Sequence, residues 1–310
     1  DVGTGSNYYE ALTSIGASED QATEMSKNAS TYWGPQPFLS GPMYFGIIIM
    51  LLMVLGLFVI KNNLKWVIFS IGVFGIMLSW GKHFSALNYF LFDHLPMYNK
   101  FRTPNMAMTI PAFMFCLLGI WALNDIFSDK ISKEKLWDAL KKSLIITGGI
   151  VLFFGIGGRM FLSYKGENDE KLKSQFVQMM GGEQNPQSVT AATKIYNAIV
   201  DDRPSIAMKD SFRSLLFLLL AAGILWLYIK NKLEMQKAVL ALGIVIAIDL
   251  ISMGMRYLNA DNYKSADEYD AQFVPRPVDS QILQDKDPYY RVYDLSTDPY
   301  NDAMGAYHHK

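Results

Sequence analysis

GKHFSALNYFLFDHLPMYNKFRTPNM, residues 81–106, lies between two long apolar runs and sets how the rest of the chain is read. It holds two of the four histidines, His83 and His94, with Asp93 beside the second and a basic pair, Lys100 and Arg102, near its end. Thr103 is a good helix N-cap and Pro104 suits a first helical position. A helix starting there turns free backbone N–H groups toward the neighbourhood of Arg102. That is the chemistry of an anion site, with phosphate the commonest occupant.

Outward from this stretch, the apolar residues gather into six runs, which predict a mainly α, polytopic membrane protein. The predicted spans are about 43–60, 64–81, 104–127, 143–162, 212–229 and 238–256. The second is long enough only if Lys65 snorkels to the interface. Pro111 should kink the third. Gly148, Gly149, Gly155, Gly157 and Gly158 in the fourth permit close helix approach. Half of the 310 residues are hydrophobic and the net charge is −1, so no bulk basic surface points to nucleic acid. Cys116, the single cysteine, cannot form an internal disulfide.

The short connections carry most of the loop lysines: Lys61 and Lys65, five within 128–142, then Lys230, Lys232 and Lys237. The positive-inside rule places these in the cytoplasm. Residues 1–40, the loops 81–104 and 163–210, and residues 257–310 then all fall outside. Tryptophans and tyrosines near the run ends suit an aromatic belt. Phe84, Leu87, Phe90, Leu91 and Leu95 predict an amphipathic helix lying on the membrane. Two more are expected in the second outer loop, about 169–180 and 187–200. YRVYDL, residues 290–295, alternates as a strand does and predicts the start of a soluble β-containing domain. The chain opens on Asp1 without a signal-peptide pattern and stops at AYHHK, so it reads as an internal piece of a longer protein.

Three groups could carry chemistry. Lys100, Arg102 and Pro104 read either as a phosphate clamp or as a headgroup anchor. His83, Asp93 and His94 read either as an acid–base group or as ordinary loop polar residues. Arg159 and Asp249 are the intramembrane charges. Counted from the outer ends of their runs, both lie within roughly 10 Å of the interface, which makes them candidate partners. No residues stand at metal-ligand spacing, and no cofactor is evident.

LPMYNKFRTPNMAM before an apolar span, TYWGPQPFLSGPMYFG before another, the SWGKHF junction and the terminal YRVYDLSTDPYNDAM together resemble the bacterial YfhO-like membrane proteins of Bacteroidetes type. The resemblance covers nearly the whole chain. It implies a GT-C-like glycosyltransferase in the bacterial cytoplasmic membrane. Such an enzyme moves a sugar from a polyprenyl-phosphate carrier to a cell-envelope acceptor on the outer face. It also implies a catalytic acid, or an acid holding a divalent metal, in an outer loop preceding Asp1, so no catalytic position is assigned here. Lys100, Arg102 and Pro104 would be lipid-phosphate contacts. A flippase with Arg159 and Asp249 in a polar path, and a non-catalytic scaffold, are the competing readings. A flippase of repeat architecture should show paired broken helices, and the sequence has one Pro-broken run without a match.

Overall fold

A short apolar helix, α3 (Ile47–Val59), sits at the centre of the apolar helices and is buried along nearly its whole length. The computed structural model describes residues 2–29, 31–34, 43–101, 103–128, 130–287, 289–296, 298 and 307–309. Two small helices, α1 (Asn7–Ser14) and α2 (Glu19–Lys27), precede α3. After it come α4 (Leu64–Ser79), α5 (Ser85–His94), α6 (Thr109–Phe127), α7 (Lys133–Leu152), α8 (Gly158–Phe161) and α9 (Asp169–Met179). The 44-residue α10 (Pro186–Ile229) and α11 (Met235–Gly254) complete the first unit, residues 1–253.

Among the described residues, four helical segments are long and apolar enough to cross a membrane: Pro104–Phe127, Lys133–Phe161, Pro186–Ile229 and Met235–Gly254. A fifth arises if α4 and the bent segment after it count as one. At 13 residues and about 1.5 Å each, α3 is shorter than the roughly 30 Å hydrocarbon layer. It survives as an inner helix because Ile48, Leu51 and Leu55 pack against Phe115 and Leu118 of α6, Leu140 of α7 and Leu225 of α10. The outward faces stay bare: Ile145, Ile150 and Phe153 near α7, and Leu240, Ile244 and Ile251 on α11, are exposed. Apolar surface of that extent suits lipid rather than water.

Glycine brings α4 close to α6. A Cβ on Gly72 would stand 2.5 Å from a Phe115 ring carbon, and one on Gly75 would stand 2.7 Å from Pro111. Of the glycines in the fourth run, Gly155 lies tight against Ser211 of α10, while Gly149 meets nothing. A π-helical turn, Phe153–Gly157, joins α7 to α8 there.

Two predicted loop boundaries move. The connection expected over 128–142 is helical from Lys133 onward. The outer loop expected over 163–210 holds its two expected helices, α9 from Asp169 and α10 from Pro186, but the second does not stop near 200: it runs through 212 without a break despite Pro204. Forty-four residues span about 66 Å, more than twice the hydrocarbon layer. The N-terminal half of α10 therefore projects beyond the apolar helices. There Ile195, Ala198 and Ile199 form a second small core with Tyr8, Leu12 and Ala22 of α1 and α2. This projecting part forms a cap.

The second unit, residues 254–310, holds α12 (Ala266–Asp270) and α13 (Pro277–Ile282). Residues 290–295 form no strand, which corrects the strand expected there, and no strand occurs among the described residues. The physical reason is local. Asp294 accepts from the backbone N–H and the hydroxyl of Ser296 at 2.8 and 2.6 Å, and this turn ends the extended run.

Candidate functional site

Residues 80–108 form an elbow between α4 and α6. The segment Gly81–His94 turns away from α4 by 113°. Gly81 makes the turn at φ +50°, a left-handed conformation that a side chain disfavours. Its missing Cβ also leaves room for Pro104, whose ring carbons would lie 3.1 Å from one. The start and end of the elbow therefore touch. Asn88, the buried residue of α5, ties the interior: its amide donates to the carbonyls of Met77 and Phe84, and its oxygen accepts from the Tyr98 hydroxyl at 2.6 Å. Around this polar pivot the outer surface is apolar, with Trp80, Phe90, Phe92, Phe101 and Met106 all at least half exposed. The expected amphipathic helix is present, but its inward residue is an asparagine.

Of the predicted clamp, Lys100 and Pro104 lie among the described residues. Lys100 ends a 3-10 turn, Tyr98–Lys100, and is exposed, with no carboxylate partner among the described residues. Arg102 lies outside the described residues. Thr103 makes no side-chain cap, and Pro104–Met108 is a 3-10 turn, so the α-helix begins five residues later than expected, at Thr109. The tight turn is what Pro104 permits while its ring rests on Gly81.

His83 and Asp93 are exposed, and no hydrogen bond among the described residues joins them to each other or to His94. His94 stacks on Phe90 with ring centroids 4.6 Å apart, and its Nδ1 hydrogen-bonds the Phe90 carbonyl.

Asp249 pairs with Arg213, not with Arg159. Arg213 Nη2 donates to Asp249 Oδ1 at 2.8 Å and to Ser252 Oγ at 2.7 Å, and Arg159 is exposed. Asp249 is almost fully buried. It also accepts from the Tyr44 hydroxyl at 2.8 Å and from the backbone N–H of Ile47 at 3.2 Å. Ile47 is the first residue of α3, so the carboxylate stands at the positive end of that helix. At the other end, Lys65 Nζ donates to the carbonyls of Leu57 and Ile60 at 2.6 and 2.7 Å. A short buried helix leaves orphan groups at both termini. Here a charge from another helix satisfies each end. Run depth in the sequence points to Arg159, whereas Arg213 sits in mid-helix only because α10 starts at Pro186.

Two residues that sequence reasoning passed over hold the cap. Arg203 is fully buried and grips Asp169 with two nitrogens, at 2.8 and 2.9 Å. It also donates to the carbonyls of Tyr164 and Thr31. Burial pushes the Asp169 carboxyl up, but bonds from Arg203 and the Gly166 N–H outweigh it and hold the group below the usual carboxylate range. The neighbouring Asp202 accepts from the N–H groups of Asn7 and Tyr8, the first two of α1, at 3.0 and 2.9 Å. The available signal was DDRP at 201–204, charges packed beside a proline within an otherwise helical pattern. An exposed pair, Lys82 and Glu167 at 3.2 Å, connects the elbow to the segment that Arg203 anchors.

No group of three or more metal-ligating side chains occurs among the described residues. No family model, curated protein or solved structure matches this chain.

Proposed function

We propose that this chain is a membrane domain that binds a polyprenyl-phosphate sugar on the outer face of the bacterial cytoplasmic membrane. In this reading it serves a GT-C-like glycosyl transfer to a cell-envelope acceptor. The elbow carries the reading. It exposes aromatic residues suited to a lipid tail, beside an exposed Lys100 without a carboxylate partner among the described residues. The resemblance of LPMYNKFRTPNMAM to the YfhO-like proteins supports it, and so does the crowding of lysines at the helix ends and turns remote from the cap. Six spans are part of the proposal, with α3 and the bent α4 segment counted beside the four long helices. Catalytic acid and metal are not assigned to any residue here.

The test is donor affinity in nanodiscs, measured with radiolabelled polyprenyl-phosphate sugar. A clamp loses most binding in Arg102→Lys, because bidentate geometry goes while charge stays. A headgroup anchor leaves Arg102→Lys and Arg102→Ala unchanged, and that result removes the clamp. Single cysteines at Ser18 and Ser265, both exposed, in a Cys116→Ala background should react with an impermeant thiol reagent in spheroplasts. One at Ser132 should react only after permeabilisation.

A second reading, a non-catalytic scaffold, is favoured by one observation. Two charges among the apolar helices, Arg213 and Asp249, are satisfied by protein groups, as structural charges are. Unchanged donor affinity with intact folding of the Arg102 variants would select it.

A further inference from the structure

At the end of the helices remote from the cap, the C-termini of α6 and α10 meet the N-termini of α7 and α11 around a cleft of about 490 Å³. Phe127, Lys133, Tyr228, Asn231 and Lys232 line it, with Glu234 and Lys237 at its rim. The rim charges neutralise each other, Glu234 lying 3.2 Å from Lys237. Lys130 is likewise taken by Asp125, and Lys141 and Lys142 by Asp138. Lys133 and Lys232 differ. Neither has a carboxylate partner among the described residues; each lies over an aromatic ring instead. Lys133 Nζ is 3.3 Å from the Tyr228 ring centroid, and Lys232 Nζ is 5.8 Å from that of Trp226. Tyr228 is buried and held edge-on by Phe127, with centroids 4.8 Å apart. Asn231 turns the chain at φ +56°, which places Lys232 at the cleft.

We infer that this cleft binds the phosphate of an anionic phospholipid. The two lysines lack a counter-anion, and the start of α7, a 20-residue helix, adds a partial positive charge on the same side. Aromatic and aliphatic walls adjoin the cations, so a phosphodiester can sit on them while its acyl chains run along the bare face of α11. Basic pockets between membrane helices of this construction suit anionic headgroups. A free phosphate would use the cations but leave the apolar wall unused. The inference rests on the membrane reading alone, not on the transferase.

The experiment uses the full chain in phosphatidylcholine nanodiscs with increasing phosphatidylglycerol, and native mass spectrometry reads the lipid retained. Wild type should retain phosphatidylglycerol over phosphatidylcholine. Lys133→Gln and Lys232→Gln should each weaken that preference about fivefold. Lys133→Arg should keep it, and so should Lys141→Gln, whose lysine is already paired. Melting temperatures in pure phosphatidylcholine discs show whether the variants fold. No preference in wild type, or an undiminished preference in a folded Lys133→Gln/Lys232→Gln double variant, overturns the site. Displacement of the lipid by inorganic phosphate would reassign it to the free anion. Failure of the membrane reading itself appears separately, as release of the protein from membranes by alkaline carbonate.

Discussion

Arg213 Nη2 lies 2.8 Å from Asp249 Oδ1, and the same carboxylate accepts the N–H of Ile47 through its other oxygen. One ion pair thereby joins α10 and α11 to the start of α3. Breaking a buried pair from one side strands a charge and costs about 3–5 kcal/mol. Arg213→Leu should therefore sharply lower the melting temperature and yield in detergent. The double variant Arg213→Leu/Asp249→Asn should recover part of the loss, since a neutral amide can still accept from Ile47. Arg159→Leu should be nearly silent. Equal losses for Arg159→Leu and Arg213→Leu would refute the pairing.

The fork between Arg203 and Asp169 is the corresponding contact in the cap. Arg203→Lys keeps one charge but loses the two-nitrogen grip and the carbonyls of Tyr164 and Thr31. Arg203→Ala should destabilise the cap by about 3–5 kcal/mol, and Arg203→Lys by most of that. Limited proteolysis within 164–169 should accelerate in both, while the apolar helices keep their protection.

Asp202 closes the N-terminus of α1 from a distance of nearly two hundred positions in the chain. Asp202→Ala leaves those N–H groups without their acceptor and should cost about 1–2 kcal/mol. Asp202→Asn keeps one acceptor and should cost less. Hydrogen exchange at Asn7–Ser14 reads the effect; exchange across α11 should not change.

The second unit should loosen in acid. Arg276 and His309 hold Asp279 well below the usual carboxylate range, and Ser296 and Arg276 hold Asp294 at about 2. Both groups bind protons less readily folded than unfolded. Their contribution is complete above the ordinary carboxylate range, near pH 4, and fades as pH falls toward about 2. Hydrogen exchange over residues 277–296 of the full chain should rise through that window. Asp294→Asn should flatten the rise; an unaltered profile would show that the Asp294 contacts do not matter to the fold.

Apolar run length is a local property of the chain, which is why the helical, membrane-suited character of this protein could be read without coordinates. Runs of this kind can bury their backbone only as helices. The break between the second and third runs was legible for the same reason, but the turn at Gly81 and its contact with Pro104 were not, because they depend on how α4 and α6 pack. Partnership was not legible. Asp249 could be named as a buried charge, but only the extension of α10 across the presumed boundary at 212 brings Arg213 to it. Asp202 and Arg203 looked like loop charges because their burial comes from α1, residues 31–33 and the segment before α9, all far away in sequence. The run at 43–60 looked like one span among six, and tertiary packing made α3 the enclosed centre, with Asp249 at one end and Lys65 at the other. Sequence determines which segments leave water, because hydropathy adds up residue by residue. Tertiary structure decides which charge meets which helix end, because that depends on distances between segments that no spacing rule encodes.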